Sequence, residues 1–260
     1  MTIDFSFILT MATALCGLVW GLYVLWLRWG RNGGAGHQEE NQKEPVLVEY
    51  ARSFFPVLLI VLIVRSFLFE PFRIPSSSMV PTLLVGDFIF VNKFFYGLRL
   101  PVINNKFLDI GDPERGDVVV FRLPAEPSIN YIKRLIGLPG DKVMYRNRRL
   151  YINGEIVASE AAGAYKGEGQ PGALLYNEFL GEAEHGILLM PDRRSLEGTF
   201  IVPAGHYFMM GDNRDNSKDS RYQGVGLIPD GNIVGKAVLI WMNWKFTEMP
   251  RWDRIGHEIN

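Results

Sequence analysis

Two apolar runs open the chain, and short β-type runs follow them. Phe5 to Leu27 carries no charged residue. At about 1.5 Å of rise per residue it is long enough to cross a hydrocarbon core as one helix. It starts Met-Thr-Ile-Asp, an acid with no base, and closes on Trp26, Arg28 and Trp29. That pattern predicts a retained helix with interfacial aromatics rather than a cleaved leader. Gly17 and Gly21 make one GxxxG step, a helix-packing signal. The second run, Phe54 to Phe69, is shorter and holds Arg65 near its end, where a long side chain can snorkel to the headgroups. Between the runs lie Arg28, Arg31, Lys43 and Arg52, whereas no base precedes the first run. The positive-inside rule therefore predicts a cytoplasmic loop, with the N-terminus and all that follows the second run outside.

From about Val85 onward the pattern shortens. Phe88-Ile89-Phe90-Val91, Asp117 to Phe121, Tyr131 to Ile136, Leu150-Tyr151-Ile152, Tyr207 to Met210 and Ile233 to Trp241 read as strands, separated by turn residues. Asn153-Gly154 between two such runs predicts a two-residue hairpin. Ala158 to Gly198 is richer in Gly, Glu and Ala and reads as an inserted excursion. The fold class is mainly β. Two N-terminal transmembrane helices (residues 1–27 and 54–72) flank a loop (28–53). An external β-sheet domain, sandwich or partly open barrel, follows over 73–260, with a β-rich insertion at about 142–205.

Composition narrows the chemistry. A net charge of -1 gives no footprint for a nucleic-acid partner. The single cysteine, Cys16, falls inside the first apolar run, so an intramolecular disulfide and external thiol chemistry are excluded. His37, His185, His206 and His257 form no close-spaced pair, and no metal or other cofactor is expected. None of the three external histidines has a triad-like setting, and each reads as a surface or turn residue.

Three stretches stand out. Ile74 to Asp87 contains Ser76, Ser77 and Ser78 between Pro75 and Pro81, which hold the backbone stiff and non-helical. It reads either as a polar linker or as a strand presenting hydroxyls in set directions. Lys133 shares a strand face with Tyr131 and Leu135, while Ile132, Arg134 and Ile136 share the other. Its amine either reaches solvent or is desolvated into a base usable near neutral pH. Gly211 to Arg221, dense in Asp, Asn and Ser, lacks the glycine and twelfth-position Glu of an EF-hand and reads as a tightly bonded loop.

Together these stretches resemble bacterial signal peptidase I, the membrane-bound leader peptidase. The ordered blocks that carry the resemblance are Pro75 to Leu83, Arg115 to Phe121, Tyr131 to Arg134, Gly137 to Asp141 and Gly211 to Arg221. The resemblance implies a Ser/Lys serine endopeptidase with Ser78 as nucleophile and Lys133 as general base. It also implies that Ser76 joins the Ser78 backbone N–H in the oxyanion hole. Ser217 would orient the lysine amine, and Asp219 and Arg221 would form a supporting ion pair. Phe72, Ile74, Pro75, Met79, Leu83, Tyr131 and Ile132 would wall shallow substrate pockets. Ser77 departs from the family, where this position is often glycine. No external cysteine is present for the disulfide that some relatives carry.

The implied partners are exported preproteins, cleaved after a small-x-small motif, with the lipid bilayer and the secretion translocon as neighbours. The implied location is the bacterial inner membrane, multi-pass, with the catalytic domain on the periplasmic side. Trp241, Trp244, Phe246 and Trp252 could rest at the interface, although core packing suits Trp241 equally. Two other readings compete. One is a related Ser/Lys protease acting on other membrane or secreted proteins. The other is a non-enzymatic, membrane-anchored β binding domain with the serines as linker.

Overall fold

The computed structural model describes residues 5–32, 44–64, 69–99, 106–108, 110–245 and 248–259. The chain divides into two compact units, residues 1–69 with 98–108 and residues 70–97 with 109–260.

The first unit holds α1 (Phe5–Asn32) and α2 (Val46–Ile63). Phe7–Trp29 and Val46–Ile63 each have a mean hydropathy of 2.0 and are long and apolar enough to cross a membrane. Only 11% of each window is buried within the protein, so the apolar side chains point outward, the reverse of a soluble core helix. Thr13 Oγ1 donates to the Leu9 carbonyl at 2.8 Å, which satisfies a hydroxyl that the bilayer could not. The two helices pack through Gly17. A Cβ there would meet the Phe55 ring at 2.8 Å, and Trp20 lies 5.7 Å from the same ring. Gly21 faces open space, so the GxxxG expectation narrows to one glycine.

The second helix differs from the expected 54–72 at both ends. It begins at Val46, directly after Pro45, whose carbonyl accepts from the Val48 and Glu49 N–H groups at 2.8 and 3.1 Å. Glu49 and Arg52 sit in its first turns, and Phe69–Arg73 is a strand. A charge-free window finds the apolar part of a helix and not its capped ends. Arg65 lies outside the described residues.

In the remaining chain, β1 (Phe69–Arg73), β2 (Asp87–Asn92), β5 (Val118–Leu123), β6 (Glu126–Gly137), β14 (His206–Met210), β15 (Ile228–Pro229), β16 (Ile233–Asn243) and β17 (His257–Glu258) build one eight-stranded sheet. Its order is β1-β2-β16-β5-β6-β14-β15, with β17 added on β16. The short pair β3 (Leu98–Arg99) and β4 (Lys106–Leu108) belongs to the first unit. β5 explains its unbroken apolar run. Val118 and Val120 enter a cluster with Ile74, Met79, Leu83 and Ile240, while Val119 and Phe121 enter another with Leu135, Met209 and Ile228. A strand buried on both faces needs apolar residues at every position.

β6 and β14 pair directly, with Arg134 opposite Met210. The chain between them forms two smaller sheets. One has four strands in the order β13 (Gly198–Ile201), β7 (Lys142–Arg146), β8 (Arg149–Ile152) and β9 (Glu155–Ile156). The other is an antiparallel meander of β10 (Ala158–Ala164), β11 (Leu174–Leu180) and β12 (Ala183–Leu189). The β8–β9 turn carries φ of 55° at Asn153 and 91° at Gly154, the left-handed pair a type I′ hairpin requires. The mainly β architecture with an inserted β subdomain is the one expected from the residue pattern. Among the late aromatics, Trp241 stacks on Phe90 at 5.6 Å and meets Phe88 tilted at 5.5 Å, whereas Trp244 and Trp252 are 39% and 74% exposed. Phe246 lies outside the described residues.

Candidate active site

The serine stretch crosses from β1 to β2 and is anchored on both sides. The Ile74 N–H donates to the Asp87 carbonyl at 2.8 Å, and the Gly86 N–H donates to the Ile74 carbonyl at 2.9 Å. Met79 and Leu83 are fully buried in the cluster below. Asp87 closes the loop by accepting from the Leu84 N–H, Asn243 Nδ2 and Arg254 Nε at 2.7, 2.6 and 3.0 Å. Ser78 is therefore held against the core and is 8% exposed.

β6 brings Lys133 to it. The amine donates to Ser78 Oγ and to the Ile132 carbonyl, both at 2.7 Å, and lies 5.4 Å from the Tyr131 ring centre. Lys133 is 4% exposed, so the solvent-facing alternative does not hold. Burial pushes its pKa down from 10.5 to about 8, against the charges of Asp219 and Asp212, which favour the ammonium. Ser76 Oγ is 3.4 Å from Ser78 Oγ, and Ser76 is exposed. The Ser78 backbone N–H makes no hydrogen bond among the described residues.

The Gly211–Arg221 turn lies behind the pair. Asp219 accepts from Arg221 Nε at 2.8 Å and from the Gly211 N–H at 3.1 Å, an ion pair closed within the turn. Gly211 has no room for a side chain. A Cβ would fall 2.2 Å from Ser217 Oγ and 2.5 Å from the Ser78 carbonyl. Ser217 Oγ is buried beside Gly211 and makes no hydrogen bond among the described residues, while the Lys133 amine donates to Ser78 and Ile132.

Of the expected pocket residues, Ile74, Met79 and Leu83 share one cluster with partly buried Phe72 and Ile132. Tyr131 packs in the other cluster, and Pro75 is exposed. Met79 and Leu83 can shape a pocket only from beneath.

A buried charge network was missed in the sequence. Arg134, next to Lys133, is fully buried and donates from Nε and Nη2 to Asp212 at 2.9 and 2.8 Å, and from Nη1 to the Gly116 carbonyl at 2.6 Å. Burial pushes the Asp212 carboxyl up, but the Arg134 charge and hydrogen bonds outweigh it and hold the carboxyl below its usual range. Arg214 donates to Glu178 at 2.9 Å, and His185 Nε2 lies 3.4 Å from the same carboxylate. His185, expected at the surface, is 6% exposed and belongs to this network. Its apolar neighbours on β12, Ile187 to Leu189, were the available signal. His206 and His257 sit at strand ends, half-buried and exposed.

A serine hydroxyl against a buried lysine amine is the arrangement of a serine hydrolase that uses an amine as base. Residues 47–244 match the family model described as signal peptidase, peptidase S26. The chain is 51% identical to signal peptidase I of Pseudomonas aeruginosa, over 98% of this chain and 99% of that one. It is 50% identical to signal peptidase I of Pseudomonas fluorescens, over 98% and 99% of the two chains. It is 35% identical to that of Haemophilus influenzae, over 92% and 86%. The chain belongs to the signal peptidase I family.

Proposed function

We propose that Ser78 and Lys133 are the catalytic pair with which this chain cleaves preproteins. As a family member the chain is a serine endopeptidase that removes signal peptides from exported preproteins. The observation that carries the residue assignment is the 2.7 Å contact between a buried, pKa-lowered amine and Ser78 Oγ. With the amine neutral, the direction of that bond reverses. Ser78 Oγ attacks the scissile carbonyl as its proton passes to Lys133 Nζ, and the resulting ammonium then protonates the leaving amine. Water, deprotonated by the same amine, hydrolyses the acyl-enzyme. The Ser78 N–H, without a partner among the described residues, and the Ser76 hydroxyl are the donors offered to the oxyanion. The Asp219–Arg221 pair supports the turn and places an anion that favours the transient ammonium.

The small-x-small preference follows from the packed wall of Ile74, Met79, Leu83, Phe72 and Ile132. A residue larger than alanine must displace close-packed atoms. In the assigned topology both helices span the inner membrane, the intervening loop is cytoplasmic, and the catalytic domain is periplasmic. The near absence of interior burial in both helices and the basic loop support it. Exposed Trp244 and Trp252 suit a lipid interface, and a preprotein arriving there would come from the neighbouring translocon. The test is processing of an Ala-x-Ala preprotein by purified Ser78→Ala and Lys133→Ala variants. Both should fold and leave the precursor intact, and normal cleavage by Lys133→Ala would overturn the pair. A reporter fused after Trp252 should be active only outside the cytoplasm.

A further inference from the structure

Two asparagines of the Gly211–Arg221 turn grip the residue before the nucleophile. Asn213 Nδ2 donates to the Ser77 carbonyl at 3.0 Å, and Asn216 Nδ2 donates to the Ser77 hydroxyl at 3.0 Å. The Asn213 N–H donates to the Ser78 carbonyl at 3.1 Å, and the Val80 N–H adds a second bond to the Ser77 carbonyl at 3.2 Å. Asn213 is itself enclosed. It is fully buried, and β12 bridges to it through Leu188, whose N–H donates to the Asp212 carbonyl at 2.9 Å.

The Ser77–Ser78 peptide is trans. Such a peptide is planar, and its C=O and N–H point in opposite directions. Two donors on the Ser77 carbonyl therefore set the direction of the Ser78 N–H, the group left free to meet an oxyanion. The Ser77 hydroxyl adds a lateral brace that a glycine at this position would lack.

We propose that Asn213, Asn216 and Ser77 are positioning residues that aim the Ser78 N–H at the oxyanion through the rigid 77–78 peptide. This assignment rests on Ser78 being the nucleophile. The brace is worth nothing to substrate in the ground state, because it touches none of it. Its contribution appears when charge develops on the carbonyl oxygen. Ser77 thus gains a role in this chain: its hydroxyl, bonded to Asn216, restrains a backbone that a glycine would leave freer.

The test uses the full-length chain in detergent, an Ala-x-Ala preprotein as substrate, and a peptide aldehyde ending in alanine as inhibitor. The aldehyde forms a hemiacetal whose oxygen occupies the oxyanion position. Ser77→Ala and Asn216→Ala should each lower kcat about three- to tenfold, the loss of one neutral hydrogen bond, with KM unchanged. Each should weaken the aldehyde by the same factor, and the double variant should lose no more than either alone. Asn216→Asp should recover most of the rate, because its carboxylate accepts the Ser77 O–H, and should recover none when combined with Ser77→Ala. Unchanged kcat, a loss confined to KM, or additive losses would overturn the proposal. Ser78→Ala in the same assay separates the two failures. An active Ser78→Ala defeats the nucleophile assignment, whereas a dead one beside fully active Ser77 and Asn216 variants defeats only the positioning role.

Discussion

Replacing Lys133 by methionine separates what the amine does for catalysis from what it does to stability. Burial lowers the Lys133 pKa from 10.5 to about 8. At about 1.4 kcal/mol for each pH step, the buried ammonium is disfavoured by about 3 kcal/mol relative to the unfolded chain. Methionine fills a similar volume without charge. It forfeits the bonds to Ser78 Oγ and the Ile132 carbonyl, each worth about 1 kcal/mol net. At pH near 7 the variant should therefore be the more stable by about 1 kcal/mol, or about 2–4 °C in Tm. The order then reverses. Between about pH 8 and 10.5 the unfolded wild-type chain still holds the proton that the folded chain has released, so wild-type stability rises with pH. The gain on the variant should total about 3 kcal/mol and level off above 10.5. Thermal unfolding of both chains in the same detergent, followed across this pH range, measures the crossing. The wild-type kcat/KM should climb about tenfold per pH unit and flatten above about 8, while the variant is inactive throughout. A stability difference that stays flat with pH would refute the desolvation argument, whatever the activity shows.

Two further substitutions probe the frame around the pair. Arg134→Leu leaves the Asp212 carboxylate buried without its partner and should lower stability by about 3–5 kcal/mol, read as a fall in unfolding midpoint. Gly211→Ala brings a Cβ to 2.5 Å from the Ser78 carbonyl, so the turn and the nucleophile backbone must be pushed apart. Its kcat should fall on the order of 100-fold, the effect of a displacement of about 1 Å, with KM little changed, and a wild-type kcat would show that the turn can yield without moving Ser78.

Periodicity made the elements legible where a single environment governs a whole run. The charge-free stretch of α1, the doubly buried Val118–Phe121 and the Asn153-Gly154 hairpin each follow from one local rule. The start of α2 was not legible because Pro45, rather than hydrophobicity, sets it. The β7–β8 turn was missed because Asn147 and Arg148 both adopt positive φ, at 50° and 59°, without a glycine to signal it. The meander from Ala158 to Leu189 was readable only as an excursion, since residues 158–164 are exposed throughout and carry no apolar alternation.

By itself the sequence determined the pieces of the site: a stiff serine stretch, a lysine in an apolar strand, and a turn dense in hydrogen-bonding residues. Each is a local property of side-chain chemistry and backbone restriction. Only the tertiary structure decided which of them touch. Strand alternation left open whether Lys133 meets solvent, and the 2.7 Å contact to a serine 55 residues away answers it. The burial of His185, the pairing of Arg134 with Asp212 and the grip of Asn213 and Asn216 on Ser77 are of the same kind. They join residues far apart in the chain, and a buried polar group finds its partner through packing, which no local pattern records.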